Sequence, residues 1–419
     1  MKNIDTHWHK NAKMIIYFKV GNFRTIKDPI VINFQATSLT GHEENILEEG
    51  NVKLLRSVLL YGHNASGKTT LAEAFVVFTM LMSGSTERKV TDKMPVEPFR
   101  FNEATEKAPT FFECMFLLDG VKYRYGFEAS QTKVYREWLM EAKVKKEYPV
   151  FLRIGEEFQI DAKRLPNSEG LQVRTRENVL FLSVCAQWNV KRAERIIQFF
   201  DKSVLLHGLM DESYKQSTID MLRDDKFSHI IKDLIKTADL GIIDVQIYDL
   251  PVNDNDKKDI KTEVVMVHSK YDANGKLLDI RVPVLLSGYE SEGTRKFFNI
   301  IGAIVYALHH DLFVLIDEFD ARLHSILSKA ILKLFNSKTI QSKSQILVVT
   351  HDTSLIDKEL LRRDQIGFVE KDNFGAAKLT MLSTYKPRRG TPYDKKYLEG
   401  KYGGIPVIEE FEKIVSNAG

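Results

Sequence analysis

The stretch SVLLYGHNASGKTTLAEAF, residues 57–75, decides the fold. An apolar run from Ser57 to Tyr61 reads as a strand, a loop bounded by glycines follows, and good helix formers come next. Gly62, His63, Asn64, Ala65, Ser66, Gly67, Lys68 and Thr69 fill the pattern G-x-x-x-x-G-K-T, with the strand before and the helix after that the pattern requires. Each residue type has a task. The glycines let the loop wrap a phosphate with no Cβ in the way, and successive amides at a helix N-terminus supply donors and a positive dipole. Lys68 can reach the β- and γ-phosphates, and Thr69, with Thr70 beside it, offers a hydroxyl to magnesium. The implied ligands are a nucleoside triphosphate, ATP, and Mg²⁺.

Three later segments supply the rest of such a site. LFVLIDEFD, residues 312–320, is an apolar strand ending in Asp317 and Glu318. At the C-terminal end of a strand in the same sheet, Asp317 is placed to hold Mg²⁺ and Glu318 to polarise the attacking water. Ser291, Glu292, Gly293, Thr294 and Arg295 open a helix, with Ser291 or Thr294 able to cap it and free amides able to meet phosphate. ILVVTHD sets His351 at a strand end, where an imidazole can hydrogen-bond the γ-phosphate or the lytic water. The candidate catalytic residues are therefore Lys68, Glu318 and His351. The span from Lys68 to Asp317 is far longer than a minimal P-loop GTPase needs, so something is inserted between the halves of the site.

In that order, these four elements resemble an ABC-class ATPase head of the kind shared by SMC and RecF proteins. The resemblance implies that Ser291 to Arg295 is the signature segment, with Ser291, Gly293 and Thr294 meeting nucleotide. It makes Asp320 to His324 the stretch linking two heads, and His351 the switch histidine. It also implies a homodimer or higher oligomer, because such heads hold ATP between the P-loop of one copy and the signature of the other. YFKVGNFRTIKDPIVINFQA, PFRFNEA, YRYGFEA, KTADLGIIDV and the terminal YLEGKYGGIPVI further resemble bacterial AAA-type ATPases of the abortive-infection and restriction-linked group, including the AbiL and RloA types. That likeness implies an ATPase that senses or regulates within an antiphage system and controls a separately encoded effector. Two alternatives come from other classes: a RecF-like clamp that closes on DNA, and an ATP-dependent assembly scaffold with slow turnover. The signature lacks the second Gly and the Gln of transporters, and Pro95 to Phe101 shows no glutamine-bearing loop.

Outward from the motif, the expected fold class is α/β, a P-loop NTPase of ABC-head type with an inserted, mainly helical subdomain. The expected division is an N-terminal lobe at 1–135, a mostly helical insertion at 136–245 and a C-terminal lobe at 246–419. Strands are expected at Ile15 to Val20 and Ile30 to Phe34, with a hairpin around Asp119-Gly120 and a second around Asn274-Gly275. Helices are expected at Arg176 to Gln187, Lys191 to Phe200, Asp211 to Ala238, Glu292 to Leu308 and His324 to Phe335, with a short one after Ser354. Ser83 to Lys93 and the polar Pro251 to Lys261 read as loops.

Across 419 residues, 43% are hydrophobic and 28% charged, which suits a folded chain with one large core or two unequal ones. Lys plus Arg is 60 against 57 for Asp plus Glu, and a net charge of +3 makes no case for nucleic acid by itself. The local cluster Tyr385 to Gly404 interleaves Lys386, Arg388, Arg389, Lys395, Lys396 and Lys401 with Tyr385, Tyr393, Tyr397 and Tyr402. It could line a nucleic-acid groove, a partner surface or a solvated tail. Cys114 and Cys185, in apolar contexts, read as reduced core thiols, and with no signal peptide or membrane span the expected location is cytoplasmic. Asp5, His7 and His9 alternate but lack a fourth ligand, and beyond His351 the pair Glu370 and Asp372 offers no DxD for a nuclease metal site.

Overall fold

The computed structural model describes residues 13–143, 146–239, 241–253, 256–385 and 393–402. Its centre is a six-stranded sheet. Val204–His207, Phe313–Asp317, Gln345–Val349, Ser57–Tyr61 and Ile366–Lys371 lie side by side in parallel, and Ala377–Met381 closes one edge antiparallel. Phe313–Asp317, Gln345–Val349 and Ser57–Tyr61 are buried at every residue, which is why each reads as an unbroken apolar run. Parallel strands align their C-terminal ends, so the residues after Tyr61, His207, Asp317 and Val349 share one rim of the sheet.

A second, antiparallel sheet of seven strands lies over it. The strands run Glu157–Ile160, Lys146–Ile154, Val134–Lys143, Val121–Ala129, Thr110–Leu118, Lys13–Gly21, Ile30–Asn33 across the sheet. Between the two sheets runs the helix Lys68–Gly84, apolar on nearly all sides because it is covered on both faces. Its Phe75 ring meets Phe313 of the parallel sheet at 4.9 Å and Phe18 of the antiparallel one at 5.2 Å, and Phe78 stacks on Phe127 at 5.7 Å. The Asp119-Gly120 turn carries φ of 51° and 76°, the left-handed pair a tight hairpin needs, and it sets Leu118 opposite Val121. Cys114 and Cys185 are free and buried, and burial pushes both thiols above their ordinary range.

The mixed α/β fold with a helical insertion is as expected, but several elements differ from the sequence reading. Residues 136–143, 146–154 and 157–160, expected in the helical insertion, are strands of the antiparallel sheet, and the inserted helices begin only at Phe181. The reason is chemical: Val134–Lys143 turns Glu137 and Glu141 inward beside Val134 and Leu139, so the apolar alternation is broken by acids. Glu137 accepts from the amides of Phe181 (2.6 Å) and Leu182 (2.9 Å) at the start of the next helix, which is what an inward carboxylate does there. The expected helix Asp211 to Ala238 is a 3₁₀ turn and two helices, Lys215–Arg223 and Asp225–Ala238, parted where extended Asp224 caps the second through Lys226 N. Ser83 to Lys93 begins as the last turn of the P-loop helix and a 3₁₀ turn. The segment after Ser354 is a single 3₁₀ turn, Thr353–Leu355. Pro251 to Lys261, expected as a loop, extends the paired strands Ile242–Asn253 and Asp256–Tyr271, and Pro251 sits beside a register shift, where a residue without an N–H is tolerated. Asp5, His7, His9, Lys386, Arg388 and Arg389 lie outside the described residues.

Candidate functional site

The loop after Ser57–Tyr61 is shaped by two glycines. A Cβ on Gly62 would come 2.2 Å from the Val369 carbonyl oxygen. Gly67, at φ 104°, would carry one 2.7 Å from the Ala377 Cβ and 2.9 Å from Thr25 Oγ1. The loop is thus pressed against the neighbouring strands, and Ala65 adds a further left-handed turn at φ 64°. Lys68 folds back over it: Nζ donates to the carbonyls of Gly62 (2.8 Å) and His63 (2.9 Å) and approaches Ser66 Oγ at 3.5 Å. Burial lowers the ammonium to about 8, against the opposing charges of Glu318, Asp317 and Asp320. His63 turns Nδ1 to the Asn64 carbonyl, 2.6 Å away, and Thr70 accepts from Thr25 Oγ1 at 3.1 Å, tying the helix start to the N-terminal segment.

Asp317 stands at the next strand end but one. Its Oδ1 is 3.5 Å from the Thr69 hydroxyl and accepts from Glu318 N at 3.0 Å. Burial, then the charge of Glu318, raises this carboxyl above its ordinary value, and the facing His207 opposes that rise. Glu318 has φ 53°, a left-handed conformation that strains a residue with a side chain. It is held by Lys296, whose ammonium, fully buried, donates to the carbonyls of Glu318 (3.3 Å), Phe319 (3.2 Å) and Ala321. Desolvation lowers Lys296 to about 8. Asp320 reaches the other way and accepts from Thr350 Oγ1 (2.6 Å) and His351 N (2.9 Å). His351 is half-buried, and burial, then the nearby Lys68 charge, lowers its imidazole. Lys68, Thr69, Asp317, Glu318 and His351 are therefore gathered on one rim.

Ser291, Gly293 and Thr294 are not part of that gathering. Ser291 is the cap: its Oγ accepts from Thr294 N at 3.1 Å, while Thr294 Oγ1 donates to Asp239 at 3.0 Å. With His324 and Phe297 they line a separate cavity of about 380 Å³ that includes no P-loop residue. Among the described residues no hydrogen bond joins them to residues 62–70. The linking stretch lies between the two groups, since Asp320 holds His351 while Arg322 is 3.8 Å from Glu292 and His324 Nδ1 accepts from Ile326 N.

Sequence reasoning missed His207, Gly208 and Lys296. Gly208 N donates to the Asp317 carbonyl at 2.8 Å, and a Cβ on Gly208 would lie 1.9 Å from the Glu318 carbonyl oxygen. None of the three carries a motif; only the pairing of Val204–His207 with Phe313–Asp317 brings two of them to the rim. The basic-aromatic cluster also changes meaning. Tyr397 and Tyr402 are buried and stack on Phe368 at 5.0 and 5.5 Å, so those rings belong to the core and are not free to stack on bases. Asp372 is used in a turn, accepting from Phe374 N and Ala376 N.

The residues present fit Mg-ATP. The loop is a cradle that a Cβ at either glycine would fill, Lys68 has only neutral oxygens to exchange for phosphate, and a hydroxyl and a carboxylate face each other beside it. Among the described residues no group of three or more His, Cys, Asp or Glu is placed to hold a metal, and Mg²⁺ bound through substrate phosphates and water needs no such cage.

Solved structures that match the chain include an SMC head bound to the C-terminal winged-helix domain of ScpA, at 13% identity and TM-score 0.45 over 89% of this chain and 99% of that one. The SMC head domain from Thermotoga maritima matches at 12% and 0.42, over 88% of this chain and 98% of that one. A Pyrococcus furiosus Smc head with an extended coiled coil, bound to the C-terminal domain of ScpA, matches at 11% and 0.41, over 93% and 99%. No curated protein matches the sequence. The model of the family described as "AAA domain, putative AbiEii toxin, Type IV TA system" matches residues 57–357, well over half of the chain and the whole rim from Gly62 to His351, and the chain belongs to that family.

Proposed function

We propose that the chain is a Mg²⁺-dependent ATPase that works as a homodimer or higher oligomer in a bacterial antiphage system, in the group of the AbiL and RloA types, and governs a separately encoded effector in the cytoplasm. The observation that carries the reading is the gathering of Lys68, Thr69, Asp317, Glu318 and His351 on one sheet rim within a family of AAA domains. The loop amides of Gly62 to Thr69, with Thr70, cradle the phosphates, and Lys68 exchanges its loop carbonyls for phosphate oxygens. Thr69 and Asp317 would hold the magnesium, which would supply charge neutralisation at the phosphates. Glu318 orients or deprotonates the attacking water, and His351 hydrogen-bonds the γ-phosphate. The dimer is supported by the separation of the Ser291 cavity from the chain's own P-loop, which leaves Ser291, Gly293 and Thr294 available to a nucleotide held by a second copy. The effector rests on the family description, since a toxin–antitoxin system has two components. Among the described residues no helix is long and apolar enough to cross a membrane.

Calorimetry with Mg-ATP tests the site. Lys68→Ala should abolish tight binding, because among the described residues Lys68 is the cation on the loop itself, its Nζ on the carbonyls of Gly62 and His63. Unchanged affinity would refute the assignment.

A further inference from the structure

Asp317 is approached from two sides, and only one belongs to the motif. Thr69 and Glu318 N face Oδ1. On the other side the edge strand Val204–His207 ends with His207 directly opposite Asp317, and its Nε2 stands 3.9 Å from Oδ2. The ring is held in that pose from its far edge. Leu209 N donates to Nδ1 at 3.2 Å, which occupies that lone pair and leaves the proton of the neutral ring on Nε2. The backbone around it is pinned as well, by His207 N to the Tyr214 hydroxyl at 3.0 Å and by Gly208 N to the Asp317 carbonyl at 2.8 Å. At 3.9 Å Nε2 faces the carboxylate beyond hydrogen-bond distance, and the gap is too short for a bridging water. The side chain is 37% exposed and shares a cavity of about 350 Å³ with Asp317, Glu73 and Tyr214, so the ring has room to close by an ångström.

Resting on the Mg-ATP reading of the rim, we propose that His207 is a positioning residue of this site: its Nε2–H closes on Asp317 Oδ2 when the cation binds and fixes the carboxylate with Oδ1 towards Thr69. A donor on Oδ2 stops the carboxylate from rotating away from the ion, the function that partners behind a metal ligand serve elsewhere.

The test uses Mn²⁺ with a non-hydrolysable ATP analogue, read by the electron paramagnetic resonance of free Mn²⁺, so that turnover plays no part. The variants are His207→Leu and His207→Gln, since Gln keeps an N–H of similar reach. His207→Leu should weaken retention of Mn²⁺ in the ternary complex by roughly 10- to 100-fold. His207→Gln should recover most of that loss, and both should bind the analogue without metal as the wild type does. Leu holding Mn²⁺ like the wild type would overturn the proposal. So would equal losses in Leu and Gln accompanied by a common drop in melting temperature, which is the signature of a packing role. A wild-type chain that binds the analogue but holds no Mn²⁺ would instead overturn the metal reading of Thr69 and Asp317, and the role of His207 with it.

Discussion

Gly208→Ala perturbs catalysis without touching a catalytic side chain. Gly208 does not occupy the left-handed region, so alanine brings no backbone strain of its own and acts only through its methyl. That methyl would stand 1.9 Å from the Glu318 carbonyl oxygen, 2.8 Å from the Glu318 carbonyl carbon and 2.8 Å from Lys296 Nζ. Carbon and oxygen settle at about 3.3 Å, so one side must retreat by roughly 1.4 Å. Both sides are pinned, Gly208 by its hydrogen bond to the Asp317 carbonyl and Glu318 by Lys296, so Glu318 has to take up a large part of the movement. A shift of about 1 Å in a reacting geometry costs on the order of 10²-fold in rate. The P-loop strand is separated from Val204–His207 by two strands, so the phosphate cradle should stay in place. Phosphate release should therefore fall by about 100-fold while the dissociation constant for the analogue changes by less than about threefold. Gly126→Ala is the control: its methyl would meet Trp138 Cζ2 at 2.4 Å and the Phe112 carbonyl oxygen at 2.6 Å inside the antiparallel sheet, so it should lower the melting temperature and leave the activity of the folded fraction intact. Wild-type turnover in a folded Gly208→Ala would refute the link between this contact and Glu318.

The remaining expectations separate binding, chemistry and assembly. Glu318→Gln should keep ATP affinity, lose about 10²- to 10⁴-fold in turnover if general-base action is removed, and accumulate a dimer visible by light scattering; hydrolysis at the wild-type rate would move the role elsewhere. Mixing Lys68→Ala with Ser291→Arg should restore partial ATPase activity, because one composite site keeps an intact loop and an intact signature; a mixed dimer that forms and stays inactive, while wild-type/mutant dimers work with one site, removes the trans arrangement. Lys296 sits at about 8 in the fold against 10.5 for a free lysine, so between those values the unfolded chain binds more protons and this group makes stability rise with pH. Lys296→Met should flatten that rise in urea midpoints taken from pH 8 to 10, and an unchanged slope would contradict the burial of a charged amine.

What the sequence disclosed depended on whether a residue's meaning is local. The 62–69 loop was legible because glycine spacing, Lys68 and Thr69 act through backbone shape and reach along a few consecutive residues. Asp317 and Glu318 were legible because an apolar strand announces its own end. Gly208 gives no such signal, since what forbids a Cβ there is a carbonyl that the sheet pairing delivers from residue 318. Lys296 looks like an ordinary charged helix residue until the fold turns it onto three carbonyls. Residues 134–143 hid their strand because Glu137 and Glu141 point inward, and an inward acid is indistinguishable in sequence from an outward one. The tyrosines of the basic cluster carried the opposite error, in that alternation with lysine suggested a surface while two of the rings pack on Phe368.

The segment Glu318 to Ala321 is where these contacts meet. Holding Glu318 at φ 53° costs on the order of 1–3 kcal/mol. Against it stand the hydrogen bonds from Lys296 Nζ to the carbonyls of Glu318, Phe319 and Ala321. Lys296 is one hold on the segment, beside Phe319 N donating to the Val349 carbonyl and Ala321 N to the Glu318 carbonyl, both at 3.1 Å. Lys296 lies on the helix that Ser291 caps, little more than one turn from Ser291 itself. From the same segment Asp320 holds Thr350 and the backbone of His351. A displacement of the Ser291 helix large enough to draw Lys296 off its carbonyls would release Glu318 and, through Asp320, loosen His351 together. Under the proposed roles, a nucleotide meeting Ser291 would be coupled through this short loop to the poses of Glu318 and His351.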